Sequence, residues 1–392
     1  MKKKNLIVLL LVIVFMLSSC TIEPSQPIPD DVTLSKAEQL LNNMTLEEKV
    51  GQLLLIRPES LYTDYSSEQV NDTRKYGIQE MNVKMVETLN RYPVGGIAIF
   101  GKNINSPSQL ASFIDDMQQN SEIPLFIAAD EEGGAVSRIA NSLGFDVETF
   151  ESMQAVGESR DPDNARKVGL VIGSYMKDYG FNLNFAPIAD VNTNPDNIII
   201  GNRSFGSEPD LVAEMVAAEI DGLREAGMMS CIKHFPGHGD TKEDTHSGFV
   251  SIEKSWDALR ECELIPFKAG IAAHTDMVMI SHITAENITH DTLPSSLSYE
   301  MIERKLRSEL NYDGVIITDS MSMGAITDHY SSGEAAVLAI SAGADIVLMP
   351  ENYVESFDAL CEAVKSGTLS EARINRSVLR VLSVKERYGL LR

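Results

Sequence analysis

Eight short apolar runs recur at wide intervals along the 392 residues of the chain. They are GQLLLI (51–56), VGGIAIF (94–100), PLFIAAD (124–130), FNLNFAPIAD (181–190), MMSCIKHF (228–235), MVMISHI (277–283), GVIITDS (314–320) and ADIVLMP (344–350). Their hydrophobicity is continuous rather than alternating, which is typical of strands buried on both faces of a parallel sheet. Helix-like segments separate most of them. The pattern predicts an α/β protein with a single (β/α)8 TIM-type barrel, and a doubly wound open sheet is the alternative.

The connecting segments carry helix start and stop signals as well as helical periodicity. Ser106 and Pro107 have the residue types of a helix N-cap and first turn. An apolar stripe at helical spacing predicts a second helix, which Gly180 can end, and a third helix should end near Gly227. The last stripe, in 377–392, predicts a helix that closes the chain, and no carboxyl-terminal second domain is expected.

The first 35 residues differ in composition from the rest. A basic start, an apolar core and small residues before Cys20 have the layout of a secretory signal, which is too short for a convincing membrane-spanning helix. The tetrad ending at Cys20 also resembles a bacterial lipobox. That resemblance implies removal of residues 1–19 and lipidation of Cys20, against an ordinary cleaved signal or an uncleaved anchor. Residues 20–35 would form a proline-rich tether that holds the body, 36–392, on the extracytoplasmic face of the cell membrane.

Charge and cysteine content exclude two classes of protein. The chain has 33 Lys and Arg against 57 Asp and Glu, a formal net charge of -24. Nucleic-acid binding requires clustered basic residues, so no nucleic-acid partner is expected. With Cys20 assigned to lipid, Cys231, Cys262 and Cys361 remain, and an odd number at wide spacing is no disulfide framework. Cys231 lies inside an apolar run, which favours a buried thiol.

Polar and ionisable residues follow five of the predicted strands, where a barrel places its reactive groups. They are Asp130, Asp190, Lys233 with His234, Ser281 with His282, and Thr318 to Ser320. Asp319 stands directly after GVIIT, so a rigid strand would hold its carboxylate at the mouth of the barrel. A structural role is equally open, because an aspartate at this position can cap the next helix. The long polar connection 57–77 either rims the active-site face or is a tolerated surface insertion.

The stretch KHFPGHGDTKEDTHSG (233–248) concentrates histidines, acids and glycines just after an apolar run. Its His234, His238 and His246, with Asp240 or Asp244, could supply a zinc site, because imidazole and carboxylate are ordinary zinc ligands. The proline and glycine between the first two histidines exclude the two-ligand helical face of HExxH proteins. The glycines also do not match a phosphate-binding loop. A metal and a phosphate are therefore both disfavoured.

Proton transfer by Asp244-Thr245-His246 is the third interpretation of this stretch. Side chains two residues apart can lie on one side of an extended backbone, so the carboxylate can bind one imidazole nitrogen while the other faces substrate. That hydrogen bond fixes the tautomer and raises the affinity of His246 for a proton, as a general acid/base requires. A surface loop that happens to contain D-x-H is the common alternative.

Taken together, the motifs resemble family 3 glycoside hydrolases, and specifically their β-N-acetylglucosaminidase (β-N-acetylhexosaminidase) branch. KHFPGHGDTKEDTH resembles the K-H-[FI]-P-G-H-G-x4-D-[ST]-H signature of that branch position for position. The resemblance covers the body from about residue 36 to the end and implies a stand-alone catalytic barrel, whereas some relatives carry an additional carboxyl-terminal domain. The other similar motifs are DEEGGAVSR (130–138), NFAPIADV (184–191), GNRSFG (201–206), SHI (281–283), LPSSLS (293–298), ITDSMSMGAI (317–326) and AGADIVLMP (342–350).

The resemblance implies a retaining mechanism with three catalytic residues. Asp319 would be the nucleophile that forms a covalent glycosyl intermediate. His246, oriented by Asp244, would be the acid/base that protonates the departing sugar oxygen and later accepts a proton from water. Most retaining glycosidases use two carboxyl groups, so a histidine in this role sets the branch apart from its β-glucosidase relatives.

The same resemblance assigns five sugar ligands, for which surface solvation or ion pairing is the alternative at the two arginines. They are Asp130, Arg138, Arg203, Lys233 and His234. Charged hydrogen bonds from these groups would orient the terminal N-acetylglucosamine. His238 and the neighbouring glycines would shape the loop rather than perform chemistry. No cofactor and no metal are expected.

The implied function is an exo-acting β-N-acetylhexosaminidase that hydrolyses terminal β-N-acetylglucosamine from peptidoglycan fragments. The cell-wall substrate follows from the family and from the outward location rather than from any single residue. The expected partners are a carbohydrate substrate and, through the lipid anchor, the membrane. The alternatives are an N-acetyl-β-glucosaminide phosphorylase, a β-glucosidase of the same family, a metal-dependent hydrolase and, in another class, a non-catalytic sugar-binding lipoprotein.

Overall fold

Eight parallel strands form a barrel in the computed structural model, which describes residues 34–241 and 250–391. The described residues contain ten strands, of which all but β6 and β8 belong to the barrel: β1 (Leu54–Ile56), β2 (Gly96–Ala98), β3 (Phe126–Ala129), β4 (Leu183–Asn184), β5 (Met229–Phe235), β6 (Val250–Ser251), β7 (Met277–Ile280), β8 (Ile283–Thr284), β9 (Val315–Thr318) and β10 (Val347–Leu348). The barrel order is β10-β1-β2-β3-β4-β5-β7-β9. A parallel bridge between Ile317 and Ile346 joins β9 to the chain entering β10. The sheet therefore closes on itself, and the predicted (β/α)8 barrel is confirmed over the open sheet.

Helices surround the strands and follow most of them in the chain. They are α1 (Lys36–Asn43), α2 (Leu46–Gly51), α3 (Ser67–Asn71), α4 (Val83–Arg91), α5 (Pro107–Gln119), α6 (Met153–Glu158), α7 (Pro162–Asp178), α8 (Pro209–Ala226), α9 (Trp256–Arg260), α10 (Leu264–Ala272), α11 (Glu286–Thr289), α12 (Gly324–Thr327), α13 (Ser332–Ala342), α14 (Tyr353–Lys365) and α15 (Glu371–Arg387). A π-helix spans Glu300–Glu309. Short 3-10 turns lie at Pro58–Leu61, Gly101–Asn103, Gly201–Arg203 and Ser295–Leu297.

The helix boundaries predicted from the sequence are confirmed. The Ser106 hydroxyl accepts a hydrogen bond from the Gln109 amide at 3.3 Å and so caps α5. Gly180 follows the end of α7 with φ 95°, and Gly227 is the C-cap of α8 with φ 76°. Glycine adopts positive φ without steric cost, which is why these helices end where they do.

Two layers of apolar side chains surround the strand backbone. The outer layer packs against the helices and includes Leu54 in β1 and Ile127 in β3. The inner layer fills the lumen and includes Leu55 and Ala128, the next residues along the same strands. Successive side chains of a strand point to opposite faces, so a continuous apolar run supplies both layers. The absence of alternation in the sequence follows from this double burial.

The amino-terminal end of the barrel is covered by α15. Its Val381 joins the lumen cluster, and the ammonium of Lys385 lies 4.7 Å from the centre of the Phe126 ring. The same ammonium donates to the side-chain oxygen of Gln52 at 2.7 Å and to the carbonyl oxygen of Gly95 at 2.9 Å. Burial lowers the pKa of Lys385 to about 7.

The parallel pair β6 and β8 is a feature that the sequence pattern does not predict. Val250 pairs with Ile283 and Ser251 pairs with Thr284. Strands of two residues are too short for hydrophobic periodicity to distinguish them from loops. The pair ties the chain after residue 249 to the chain that follows β7.

The remaining predictions concern the division into domains, membrane-spanning helices and the cysteines. The chain from Ser35 to Arg392 forms one compact unit. Within 34–241 and 250–391, no helix is long and apolar enough to cross a membrane. Cys231, Cys262 and Cys361 are free thiols, and Cys231 is buried as predicted. Residues 1–33, which include the predicted signal and Cys20, lie outside the described part of the chain.

We expect Lys385→Met to flatten the pH dependence of stability. The pKa of Lys385 falls from 10.5 to about 7 on folding. Between these values the unfolded chain binds more protons, so the native protein gains stability as the pH rises. The melting temperatures at pH 7 and pH 9.5 should therefore differ less in the variant than in the wild type.

Lys365→Met is the matched control for this experiment, because Lys365 is an exposed lysine at the end of α14. It should leave the dependence of the melting temperature on pH unchanged. An unaltered pH dependence in Lys385→Met would contradict a lowered pKa for the buried ammonium.

Candidate active site

A cavity of about 640 Å³ opens at the carboxyl ends of the barrel strands. A volume of this size is typical of sites that hold small molecules. The five predicted sugar ligands and the predicted nucleophile all line it: Asp130, Arg138, Arg203, Lys233, His234 and Asp319. The predicted dyad, Asp244 and His246, falls in 242–249, outside the described residues. The place of those two side chains in the site stays a prediction.

The Lys233 ammonium is the centre of a charge network in this cavity. Its side chain is 2% exposed, and Nζ lies 2.7 Å from a carboxylate oxygen of Asp130 and 2.6 Å from one of Glu132. Burial by itself lowers the pKa of a lysine, but the two carboxylates raise the pKa of Lys233 above its usual value. The ammonium therefore stays charged and ties the chain after β3 to the end of β5.

Two arginines complete the network from the loops that follow β3 and β4. Arg203 donates through Nε and Nη2 to the two oxygens of Glu132 at 2.8 and 2.7 Å. Arg138 donates to Asp130 at 3.0 Å. Burial would raise the pKa of both acids, but the neighbouring cations outweigh it and hold the pKa of Glu132 at about 2 and that of Asp130 well below its usual range. Both acids are ionised at neutral pH and present fixed acceptors to a ligand.

Glu132 is a site residue that the sequence analysis does not name. In DEEGG the carboxylates alternate, because Asp130 and Glu132 join the cavity network while Glu131 turns away. Glu131 accepts hydrogen bonds from the backbone amides of 138–140 and from the Tyr175 hydroxyl. The period of two that holds along a strand thus continues past the end of β3. Counting two residues on from Asp130 would have identified Glu132.

Asp190, after β4, positions two histidines of the KHFPGHG stretch (233–239). Its buried carboxylate accepts hydrogen bonds from the amides of His234 and His238 at 3.2 and 2.6 Å. It also lies 2.7 Å from Nδ1 of His234. Burial raises the pKa of Asp190, but the two histidines lower it below its usual value, so this acid is an acceptor only. Nδ1 of His234 therefore carries the proton, and Nε2 is left for a ligand in the cavity.

His238 contributes both to the loop and to the cavity wall. Its Nδ1 lies 2.6 Å from the Thr241 hydroxyl, and burial lowers its pKa, which keeps the ring neutral at pH 7. Among the described residues its buried Nε2 has no hydrogen-bond partner. The flanking glycines permit the tight backbone: Gly237 has φ 127°, and a Cβ on Gly239 would lie 1.8 Å from the Val191 carbonyl oxygen.

Asp319 is held at the cavity by the end of β9. Its amide donates to the Ile280 carbonyl at 2.7 Å, and its Oδ1 accepts a hydrogen bond from the Ser320 amide at 2.7 Å. Burial raises the pKa of Asp319, but His234 and His282 bring it below its usual value. The carboxylate is therefore ionised at neutral pH and fixed on one side.

His282 supports the turn that follows Asp319. Its Nε2 lies 2.9 Å from the Ser320 carbonyl oxygen, and its Nδ1 lies 2.7 Å from the Ser296 hydroxyl. A carbonyl oxygen only accepts, so Nε2 carries a proton. The helix-capping alternative for Asp319 does not hold, because Met323 is the N-cap of the next helix, α12.

The long connection after β1 borders the same cavity. Arg57 at its start and Asn71, Thr73 and Arg74 near its end are cavity-lining residues. The connection 57–77 therefore forms part of the cavity rim and is not a surface insertion remote from the site. Arg57 is a second residue that the sequence analysis does not name, although it stands directly after a predicted strand. The strand-end criterion, applied to all eight runs, would have found it.

The described residues hold no cluster suited to a metal. Within 34–241 and 250–391, no group of three or more histidine, cysteine and acidic side chains could hold a metal ion. Asp240, a candidate ligand, is bound by Lys254 at 2.9 Å and by Thr193 at 3.0 Å. The cavity is instead a set of fixed charges around an ionised carboxylate. Such a set can bind sugar hydroxyls and present a nucleophile.

A family model described as "Glycosyl hydrolase family 3 N terminal domain" matches residues 45–384. The chain belongs to glycosyl hydrolase family 3. The match includes all eight barrel strands and the described cavity residues, so the family 3 domain is the barrel described above. The predicted family is confirmed.

The family 3 relatives include proteins named as hexosaminidases. "Beta-hexosaminidase A" of Pseudoalteromonas piscicida is 30% identical over 367 residues, which cover 87% of this chain and 61% of that protein. "Beta-hexosaminidase LpqI" of Mycobacterium tuberculosis is 32% identical over 305 residues, which cover 76% of this chain and 77% of that protein. The solved family 3 β-N-acetylglucosaminidase from Paenibacillus sp. has a TM-score of 0.81 at 37% identity, over 88% of this chain and 63% of that one. The chain thus spans about three fifths of the first and third of these relatives.

We expect Glu132→Gln to lower the free energy of unfolding by roughly 3–5 kcal/mol, because it deprives buried Lys233 and Arg203 of a shared carboxylate. Glu208→Gln is the matched control. Arg160 also binds Glu208 through two nitrogens, at 2.7 and 2.9 Å, but this pair is exposed. Its loss should cost much less, because water and salt screen an exposed ion pair. Urea unfolding of both variants measures the difference, and equal losses would contradict the importance of the buried network.

Proposed function

We propose that the protein is a retaining exo-β-N-acetylhexosaminidase that hydrolyses terminal β-N-acetylglucosamine, with Asp319 as its nucleophile. The observation that carries the proposal is an ionised carboxylate at the end of β9, in one cavity with the Lys233 network. Relatives named beta-hexosaminidase and β-N-acetylglucosaminidase, at 30–37% identity, support this substrate class.

The reaction takes place in two displacements at the anomeric carbon. In the first, an Asp319 oxygen forms a bond to that carbon, the bond to the glycosidic oxygen breaks, and His246 transfers its proton to the departing oxygen. In the second, water attacks the same carbon, His246 takes the proton of the water, and the ester to Asp319 breaks. Two inversions give net retention of the β configuration.

The surroundings of Asp319 suit the role of nucleophile. The Ser320 amide donates to Oδ1, so Oδ2 is the oxygen that attacks. Burial raises the pKa of Asp319, but the neighbouring His234 and His282 outweigh burial and lower it, which favours the ionised form that must attack. The same two side chains and the Ser320 amide also stabilise the carboxylate when it is released in the second step.

The acid/base role of Asp244 and His246 is proposed from the motif and from where its flanks are anchored. Before the motif, the carbonyl of Thr241 accepts a hydrogen bond from Asn194 at 3.0 Å. After it, Val250 pairs with Ile283, which directly follows His282. Both flanks of the eight residues are therefore fixed on the carboxyl-end side of the barrel, the side on which Asp319 lies.

The Lys233 network would hold the terminal sugar during both steps. Its members are already fixed by one another, as in the 2.7 and 2.8 Å bonds from Arg203 to Glu132. Binding a sugar then requires little reorganisation of the site, and the anomeric carbon can be kept within reach of Asp319. His234 would contribute through Nε2, since Asp190 occupies Nδ1.

The proposed substrates are peptidoglycan fragments, and the proposed location is the extracytoplasmic face of the membrane. Both rest on the signal-like start of the chain, on the lipobox-like tetrad ending at Cys20 and on the family resemblance. A lipidated Cys20 followed by a proline-rich tether would hold the barrel near the cell wall.

We expect Asp319→Ala to reduce kcat by roughly 10⁴-fold or more, as loss of a nucleophile does in other covalent mechanisms. Release of 4-nitrophenol from its N-acetyl-β-glucosaminide measures the rate. Added azide should restore turnover and give the α-glycosyl azide, because it attacks the face that Asp319 has vacated. Asp313→Ala is the control, since this exposed residue lies at the opposite end of β9. Unimpaired turnover in Asp319→Ala would disprove the mechanism.

We expect His246→Ala to slow the cleavage of disaccharides far more than that of activated aryl glycosides. A sugar alkoxide leaves poorly without a proton, whereas 4-nitrophenolate leaves unaided, and general acid catalysis contributes typically 10²–10⁴-fold. The ratio of kcat/KM for the two substrates measures the effect. His274→Ala, at an exposed histidine before β7, should leave that ratio unchanged. A similar loss on both substrates would exclude His246 as the proton donor to the leaving group.

A further inference from the structure

Three arginines of the cavity wall differ in what neutralises them. Arg138 is bound to Asp130 at 3.0 Å, and Arg203 is bound to Glu132 at 2.7 Å. Among the described residues, Arg57 has no carboxylate within ion-pair distance. Its hydrogen bonds there go from Nη1 to two neutral oxygens, Asn71 Oδ1 at 2.5 Å and Ser322 Oγ at 3.0 Å.

The Arg57 guanidinium is also deeply placed for a charge of this kind. The residue is 5% exposed and lines the cavity that contains Asp319. Its Nε is buried and has no hydrogen-bond partner among the described residues. A buried charged donor that is left unpaired is costly. The Arg57 guanidinium would therefore be stabilised by a further hydrogen-bond acceptor.

Packing fixes the orientation of this guanidinium. It lies over the Phe100 ring at 5.1 Å from the centroid, and Arg138 lies over the same ring at 5.4 Å. Asn71 is in turn held by the backbone carbonyls of Ser67 and Glu351 at 2.8 and 3.3 Å. An arginine that is stacked on a ring presents its N–H edge in one plane, which suits two-point binding of a carboxylate or phosphate.

The charge of Arg57 persists at neutral pH. Burial lowers its pKa, against the opposing influence of Glu59 and Asp130, to about 10. Glu59 is engaged elsewhere, because its Oε1 accepts hydrogen bonds from Asn103 at 2.6 Å and from the Ile78 amide at 3.0 Å. Glu59 and Asp130 therefore lower the free-energy cost of burying the charged guanidinium, but neither accepts a hydrogen bond from it.

The position of Arg57 relates it to the reacting bond. Its partner Ser322 stands three residues after Asp319, in the turn that the nucleophile begins. The exposed Arg74, from the same connection after β1, adds a second cation at the rim of the cavity. The terminal sugar is assigned to the Lys233 network, so Arg57 and Arg74 border the space beside it.

We propose that Arg57, with Arg74 at the rim, forms an anion-binding subsite that takes a carboxylate or phosphate group next to the scissile bond. The anion would be either a carboxylate carried by the leaving sugar or free inorganic phosphate. This inference rests on the proposed glycosidase function, because it assigns a substrate feature to the same cavity.

Two disaccharides with the same linkage test the first source. One has N-acetylglucosamine as the leaving sugar, and the other has N-acetylmuramic acid, which differs by a carboxylate-bearing ether. Wild-type protein should favour the acidic disaccharide in kcat/KM by roughly tenfold or more, as expected for a charge-assisted pair. Arg57→Gln should bring the ratio close to one, mainly through KM, and Arg57→Lys should restore part of it.

Arg91→Gln is the matched control. Arg91 lies over the Tyr92 ring at 5.1 Å, the same distance as in the Arg57–Phe100 pair, but it is an exposed residue outside the cavity lining. Its loss should leave the ratio between the two disaccharides as in the wild type. Melting temperatures of all variants show whether the fold is intact.

Inorganic phosphate tests the second source. With the neutral disaccharide as substrate, phosphate should inhibit the wild type and Arg91→Gln, or yield N-acetylglucosamine 1-phosphate. Either effect should weaken at least tenfold in Arg57→Gln. A phosphate effect that depends on Arg57, without any preference for the acidic disaccharide, would identify free phosphate as the anion.

Three results would count against the subsite, and a different one against the proposed function. A wild type that turns over both disaccharides equally and ignores phosphate overturns the anion site alone. So does a preference for the acidic disaccharide or a phosphate effect that persists unchanged in Arg57→Gln. An equal loss on both substrates with a lower melting temperature overturns it as well, since Arg57 would then only brace the loops. No turnover of any N-acetyl-β-glucosaminide by the wild type would overturn the proposed function instead.

Discussion

The buried ammonium of Lys233 is the constraint on which the site depends. A charge with 2% exposure is costly to bury unless it is paired, and the two carboxylates that pair it stand at 130 and 132, about a hundred residues earlier in the chain. Because both carboxylates belong to the chain that leaves β3, their pairing with β5 sets the relative position of two strand ends. Arg138 and Arg203 then attach the longer loops to the same acids. The charged side chains of the cavity wall are therefore linked by one continuous series of ion pairs.

Asp190 plays a comparable part for the two histidines of the wall, His234 and His238. It binds both backbone and ring of His234 and the backbone of His238, so one buried carboxylate orders the turn after β5. Its own position is given by the end of β4, which pairs with β5. The sequence KHFPGHG therefore obtains its shape largely from an acid that stands outside it. This dependence explains how a stretch rich in glycine can hold two imidazoles in fixed orientations.

The fold could be predicted from the sequence more completely than the site. Eight apolar runs mark the eight strands because burial on both faces requires them, and Gly180 and Gly227 mark helix ends because of their backbone conformation. The candidate ligands followed from strand ends and from the family resemblance. The partners of these ligands could not be predicted from the sequence, because the pairing of Lys233 with Glu132 depends on strand order and register. Arg57 and Glu132 were within reach of local rules, whereas no local pattern predicts that Phe100 carries two guanidinium groups.

Helix α15 covers the amino-terminal end of the barrel, and this limits the route by which molecules reach the cavity. Val381, Val384 and the ring of Phe126 fill the lumen there, with the Lys385 ammonium packed against that ring. Within the described part of the chain this end of the lumen is filled, so molecules reach and leave the cavity on the side of the strand carboxyl ends. In the two-step hydrolysis proposed above, the first product has to depart before the attacking water can take its place, and the two then travel in opposite directions on this side of the barrel.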